Sequence, residues 1–444
     1  MRGMRNVLVL ALGLGVISAP GVATSASAPA ELRRDKPPSQ TPPQSQPAQP
    51  APQATFRTTT SLVEVDVVIH DKKGDFVGGL KAEDLQLLED GKPQKIEQFY
   101  MVAHERGGQL IPVTGDQPVA PEDRARRIFV VMFDEGHLAH ESLMRTKQGV
   151  IQFIKENIGP GDFGGIFENG RMHNGRLTTS AAELLAGVNK VNVGFENRQS
   201  LLATFREFPR IPSEIDAMRI AEGSIEVARR IGQRVCQDDP QSCLLNGGLN
   251  QVENLIQQKS RLYVRQARML SYTTLQNLRY VVSRLSRIPG RKTLVFLSEG
   301  FFVEEARNDL LAIGADAARG GTTIYSIDGR GLIGSPSATS DVLTEAAGRS
   351  TAFDSGEAAP YLLTSATGGI RIQNIDDVGR AFNMVVRDTS TYYVIGYRPD
   401  NAVMDGKFRK IEVKANVSGV NIRSRKGYAA VALPPMQAIR EGWK

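Results

Sequence analysis

Asp134 closes an unbroken apolar run, Ile128 to Phe133, and His137 and His140 follow it closely. A carboxylate with two imidazoles in one turn-like segment has the makings of a metal site, or of a general base with its orienting acid. Two further apolar runs end in the same manner. Lys292 to Leu297 is followed by Ser298 and Glu299, and Thr322 to Ile327 by Asp328. Uninterrupted apolar runs of this length read as strands covered on both faces, the mark of a parallel sheet. Polar residues at the carboxyl ends of such strands lie where open α/β sheets place their ligands. Each candidate also has a plainer reading. No third ligand accompanies His137 and His140, which favours partly exposed loop histidines. Ser298 lacks the Gly-x-Ser-x-Gly surround of a nucleophile elbow, and Asp328 reads as a cap or turn residue. Gly159-Pro-Gly-Asp-Phe-Gly164 matches G-x-G-x-x-G, but it follows a helix and precedes a strand, the reverse of a dinucleotide-binding turn.

The elements that must position these residues alternate. After the strand ending at Phe133 come a helix over Leu143–Ile158, a weak strand at Gly165–Glu168 and a helix over Thr179–Val191, for which Thr179 or Ser180 is a suitable cap. Residues from about 212 to 287 read almost wholly as helix, broken at Cys236–Gly248. The faces carrying Gln257, Lys259, Arg261, Arg265, Gln266 and Arg268 read as the exposed surface of a long helical hairpin. A helix at Ala306–Arg319 leads from the second buried strand to the third, so the centre is a doubly wound α/β unit. Gly331 to Gly356, rich in Gly, Ser, Ala and Thr, reads as a mobile loop, and Ala366-Thr-Gly-Gly369 leads to a helix over Ile375–Arg387. Both flanks are β. Val63, Val65, Val67 and Ile69 alternate with polar residues, Glu89-Asp-Gly91-Lys92 makes a tight turn, and strands return at Thr391–Tyr397, Lys407–Lys414 and Val420–Arg425. Strands at both ends need partners, so the two flanks are expected to form one β-sandwich or two abutting ones around the α/β unit.

The chain has 444 residues, enough for two or three cores, with 41% hydrophobic and 23% charged residues and a net charge of +6. Charges of both signs are mixed along most segments, which argues against a nucleic-acid partner. Met1 to Arg5 carries two arginines, Val7 to Ile17 is apolar, and Ala-x-Ala-like sites end near Ala28. This pattern reads as a signal peptide over 1–28 and an exported protein, because the apolar stretch is too short to span a bilayer; no later stretch is long enough either. Residues 29–55, dominated by Pro, Gln, Ser and Ala, read as a disordered tether. Cys236 and Cys243 are the chain's two cysteines. In an oxidising compartment they read as a local disulfide, with two free thiols as the alternative. The divisions that follow are a β segment at 56–105, the α/β unit at 124–388 with a helical insertion at about 212–270, and a β segment at 389–430.

The run ending in Asp134 with its helix, and Arg291-Lys-Thr-Leu-Val-Phe-Leu-Ser-Glu-Gly300, resemble the core of von Willebrand factor A (VWFA) domains. The flanks are more specific. Val77-Gly-Gly-Leu80, Glu89-Asp-Gly91, Tyr392-Tyr-Val-Ile-Gly-Tyr-Arg-Pro399, Asp405-Gly-Lys-Phe-Arg-Lys-Ile-Glu-Val413 and Arg425-Lys-Gly-Tyr428 resemble the VWFA-related proteins of Acidobacteria, over roughly residues 56–430. The resemblance implies a VWA/Rossmann-like sheet. In ordinary members it also implies a metal-ion-dependent adhesion site: Asp-x-Ser-x-Ser after the first strand, a Thr before a later helix, and an Asp in a later Thr-Asp-Gly turn. Hydroxyls, carboxylates and waters suit Mg²⁺, and an open position accepts a partner's carboxylate. Here Asp134 keeps the first position, Gly136 and Leu138 stand in place of the serines, Thr273 (or Thr274) matches the Thr, and Glu299 replaces the second Asp. The expectation is an exported, non-enzymatic protein-interaction or surface-assembly module with a degenerate site and no cofactor. The alternative is a Mg²⁺-dependent adhesin that binds a partner carboxylate through Asp134, Thr273 and Glu299. A hydrolase using Asp134, His137 or Ser298 is a weaker third class, for want of a base–nucleophile pair.

Overall fold

Alternation of apolar and polar residues makes half-covered strands, and unbroken apolar runs make strands covered twice. Both kinds are present. The computed structural model describes residues 62–104, 126–194, 196–301, 306–332, 358–431 and 443. The expected signal peptide, the Pro-rich tether and most of the Gly/Ser-rich stretch after Gly331 therefore lie outside the described residues. Chain order begins with β1 (Val63–Asp71), β2 (Leu85–Glu89), β3 (Lys92–Gln94) and β4 (Ile96–Ala103). Between β2 and β3, Asp90 and Gly91 take φ of 49° and 79°, the pairing that closes a two-residue hairpin.

The α/β unit follows: β5 (Ile128–Phe133), α1 (His140–Asn157), β6 (Phe163–Glu168), β7 (Arg171–Met172) and α2 (Ala181–Lys190). Ser180 caps α2 by accepting from Glu183 N. Next come α3 (Arg198–Ala203), α4 (Glu214–Ala221), α5 (Ile225–Asp238), α6 (Pro240–Leu245) and the 37-residue α7 (Leu249–Leu285). The expected break at Cys236–Gly248 is mostly helix. Asp239 ends α5 and caps α6 through Ser242 N, with Pro240 at the first helical position, where its missing N–H costs nothing. Then β8 (Lys292–Leu297), α8 (Arg307–Arg319), β9 (Thr322–Ile327), α9 (Ala358–Thr367), β10 (Arg371–Ile372) and α10 (Val378–Ser390) complete the unit. Helix α9 occupies part of what the sequence left as the approach to the next helix. At its end Gly368 has φ +78°, and a Cβ on Gly369 would lie 1.9 Å from the Ile324 oxygen. Only glycine lets the chain turn there against β9.

Among the described residues the central sheet has six strands, ordered β10-β9-β8-β5-β6-β7. All pairs are parallel except β6–β7. Read from β7, the order is third, second, first, fourth, fifth, sixth, the doubly wound arrangement whose switch point lies between β5 and β8. Its faces are both covered. Phe129, Val131 and Phe133 pack with Phe153 of α1 and Phe382 of α10. Val130 and Met132 pack with Leu278 and Val282 of α7.

The last strands are β11 (Thr391–Tyr397), β12 (Phe408–Ala415), β13 (Val420–Ser424) and β14 (Gly427–Ala429). They join the first four in two antiparallel sheets, β13-β1-β11-β4 and β14-β12-β2-β3. Each sheet draws strands from both sides of the α/β unit. Val65, Val67 and Ile69 meet Leu85, Leu87 and Ile411 in the shared core between the sheets. Tyr393 stacks between Phe76 and Phe99. Its hydroxyl donates to Val77 O and accepts from Leu80 N, which satisfies the loop that carries Gly78 and Gly79.

Candidate functional site

Strand register builds the site. Phe133 pairs with Leu297 across β5 and β8, and Asp134 N donates to Leu297 O at 2.9 Å. Asp134 and Ser298 therefore leave the sheet side by side at the switch point. The Ser298 hydroxyl donates to Asp134 Oδ2 at 2.7 Å and accepts from Gly300 N at 2.9 Å. From α7, Thr274 Oγ1 donates to Asp134 Oδ1 at 2.7 Å. His137 Nδ1 lies 3.0 Å from that same oxygen and 3.3 Å from Thr274 Oγ1. Its ring packs against Phe301, with centroids 5.3 Å apart. The loop is wound tightly, since His137 N and Leu138 N both donate to Asp134 O. Asp134, His137, Thr274 and Ser298 are all buried. A buried carboxylate is tolerated where donors face it, and two hydroxyls do so here with the His137 ring nitrogen beside them.

Glu299 is also buried, and it does not join the Asp134 cluster. Its Oε1 accepts from Ala139 N at 2.8 Å, at the N-cap position of α1, which has no side-chain cap of its own. A carboxylate there satisfies an orphan N–H and complements the helix dipole. Two arginines stand in its field. Burial opposes charge on Arg198, but its hydrogen bonds to Glu214, with smaller contributions from Tyr263 and Glu299, hold its pKa above the ordinary value. Arg330 behaves likewise through Asp328 and then Glu299. Asp328 itself pairs with Arg330 at 2.6 Å.

Beside the cluster lie two more carboxylates. Glu168, at the end of β6, is buried, with His173 Nδ1 2.9 Å from Oε1 and no partner on Oε2. Glu135 accepts from Asn169 N at 3.0 Å. Burial raises its pKa to about 7, assisted by Glu168 and Asp134 and opposed by the Asn169 hydrogen bond.

The sequence candidates are thus sorted. Asp134 is central. Thr273 is exposed and its hydroxyl donates back to Met269 O on its own helix; its neighbour Thr274 is the residue on the inward face. The spacing signal was present, because Thr274 lies one turn before Leu278 on the buried stripe of α7. His137 is buried in the cluster instead of partly exposed, whereas His140 is exposed at the start of α1. Ser298 is a donor to Asp134. Asp162 of the glycine-rich turn takes two hydrogen bonds from Arg127 and one from Gly159 N, anchoring the start of β6. Cys236 and Cys243 are disulfide-bonded. Among the described residues no group of three or more His, Cys, Asp or Glu side chains is placed to hold a metal ion.

No family model and no curated protein matches this chain. Among solved structures, it is similar to an aerotolerance-related membrane protein from Bacteroides fragilis NCTC 9343. The TM-score is 0.27 and the identity 12%, over 59% of this chain and 98% of that one. A likeness so remote carries no argument about function.

Proposed function

We propose that this chain is an exported, VWFA-like protein-interaction or surface-assembly module without catalytic activity, in which the Asp134 cluster ties strand ends together instead of holding an ion. The observation that carries this reading is the engagement of both Asp134 oxygens by Ser298, Thr274 and His137. Mg²⁺ needs near-octahedral oxygen ligands and keeps several waters. Here an imidazole adjoins the carboxylate, buried Leu138 stands where a second serine hydroxyl would be, and Glu299 is engaged at α1. That donor set does not fit a hard divalent ion. Strand order supports the VWFA-like part, since the cluster lies at the switch point of a doubly wound sheet. Against hydrolysis stands the direction of the hydrogen bonds: Ser298 and His137 both turn to Asp134, not to each other. Export is supported by the N-terminal sequence pattern and by the Cys236–Cys243 disulfide, which suits an oxidising compartment. No helix among the described residues is long and apolar enough to cross a membrane.

Thermal melts with Mg²⁺, Mn²⁺ or Ca²⁺, with EDTA as control, test the reading. An ion bound to the folded state at a hundred times its Kd would add ~2.7 kcal/mol. The expected result is no shift at millimolar metal. A shift that disappears in Asp134→Ala would overturn the reading and favour a Mg²⁺-dependent adhesin.

A further inference from the structure

One stretch of the chain is acid-free. No Asp or Glu stands between Glu253 and Glu299, while nine Lys and Arg do. Most of that stretch is α7. Along it Arg261, Arg265, Arg268 and Tyr272 recur at intervals of four, three and four, which places them on one stripe of the helix. Arg261 and Arg265 are exposed, and Leu262 and Tyr272 are 48% and 58% exposed beside them. These residues line one wall of a groove of about 1470 Å³, whose other wall includes Phe208 and Met218.

We propose that this groove docks an acidic segment of a partner protein that also carries apolar side chains. The proposal rests on the interaction-module reading for its protein partner but uses no residue of the Asp134 cluster. Size argues for a peptide, since small-molecule pockets run to about 300–1,000 Å³. Composition argues for mixed chemistry. Guanidinium groups pair with carboxylates in a planar, two-pronged fashion, while Leu262, Tyr272 and Met218 offer apolar seats between them. The rim argues against an anionic lipid surface. Glu207, Glu222 and Asp309 also border the groove; a continuous sheet of negative charge would meet those carboxylates, and a flat surface does not enter a concavity. A peptide with spaced acids avoids both conflicts.

The test uses the full chain and a fluorescein-labelled peptide alternating Asp or Glu with Leu or Tyr, read by fluorescence anisotropy. One control replaces the acids with Lys, and a second replaces Leu and Tyr with Ser. Saturable binding of the first peptide alone is expected, weakening as salt rises from about 50 to about 500 mM. Arg261→Glu with Arg265→Glu should weaken binding by about tenfold or more. Leu262→Ser with Tyr272→Ser, also at exposed positions, should weaken it at unchanged salt dependence. Binding that ignores peptide charge or survives the arginine reversal overturns the proposal. So does absence of binding, or arginine-dependent sedimentation with phosphatidylserine vesicles in place of peptide capture. Peptide binding is read on the parent chain without added metal, so a metal-induced melting shift lost in Asp134→Ala would sink the module reading while leaving the groove result standing.

Discussion

Glu135 is the residue whose charge state the fold most visibly controls. Burial comes first among the causes, with Glu168 and Asp134 adding repulsion, and together they raise its pKa from 4.5 to about 7 against the pull of Asn169 N. A raised carboxyl pKa means that the unfolded chain gives up its proton first as pH rises. The folded state is therefore penalised progressively between about pH 4.5 and 7, and fully above 7. Glu135→Gln keeps an acceptor for Asn169 N and removes the charge. It should raise the urea midpoint relative to the parent at pH 8, with the difference vanishing near pH 4.5. An equal gain at both pH values would show that charge is not the cause. At this scale the sequence showed Asp134 at the strand end and offered His137, Ser298 and Thr274 as candidates, but not that all four meet. Ser298 could be reached by setting β5 beside β8 in register, and Thr274 by following the apolar stripe of α7. The burial of His137 could not, because local pattern does not say whether a loop side chain turns inward.

Helices α4 to α7 have a core of their own, in which Ile220, Ile231 and Val235 meet Val252 and Ile256. Within it the disulfide ties α5 to α6 across a sequence separation of 7. The sequence marked this region as helical because its apolar spacing is regular. It misplaced the break, since Pro240 and the Gln-Asp-Asp-Pro run look like a turn when Pro at a first helical position and Asp at a cap are equally good readings. A crosslink over so short a loop constrains the unfolded chain by roughly 2 kcal/mol. Reduction with dithiothreitol should therefore accelerate amide hydrogen exchange in residues 225–245 while β5 and β8 keep their protection. Uniform loss of protection across the central sheet would mean that the insertion does not have separate stability. No change at all would mean that helix packing alone holds α5 and α6.

Residues 59–444 form one unit; α8 packs on β14, and a few charged side chains also cross between the sandwich and the α/β unit. Arg291, next to β8, sits 4.2 Å over the Tyr392 ring and 3.6 Å from Asp66 Oδ2. Arg423 of β13 pairs with buried Asp388 of α10, to which Tyr325 of β9 also donates. Arg425 donates to Ala318 O and to Glu64 O, so one guanidinium spans both parts. Alternation told which flanking residues face a core; it carried no information on these crossings, whose partners lie up to 361 positions apart. Cutting such a link should uncouple the parts. Trp443, the single tryptophan, is buried near Tyr280 and reports on the α/β core. Pulsed hydrogen exchange of the β1 and β11 amides reports on the sandwich. In urea the two signals should change together, as one cooperative transition. Asp388→Ala leaves Arg423 and Tyr325 without their carboxylate and should cost about 2 kcal/mol, below the roughly 3–5 kcal/mol of a fully buried broken pair because Arg423 is partly exposed. In that variant the two curves should separate. Curves already apart in the parent would mean that sandwich and α/β unit unfold independently, and that the arginine links position the parts without coupling their stability.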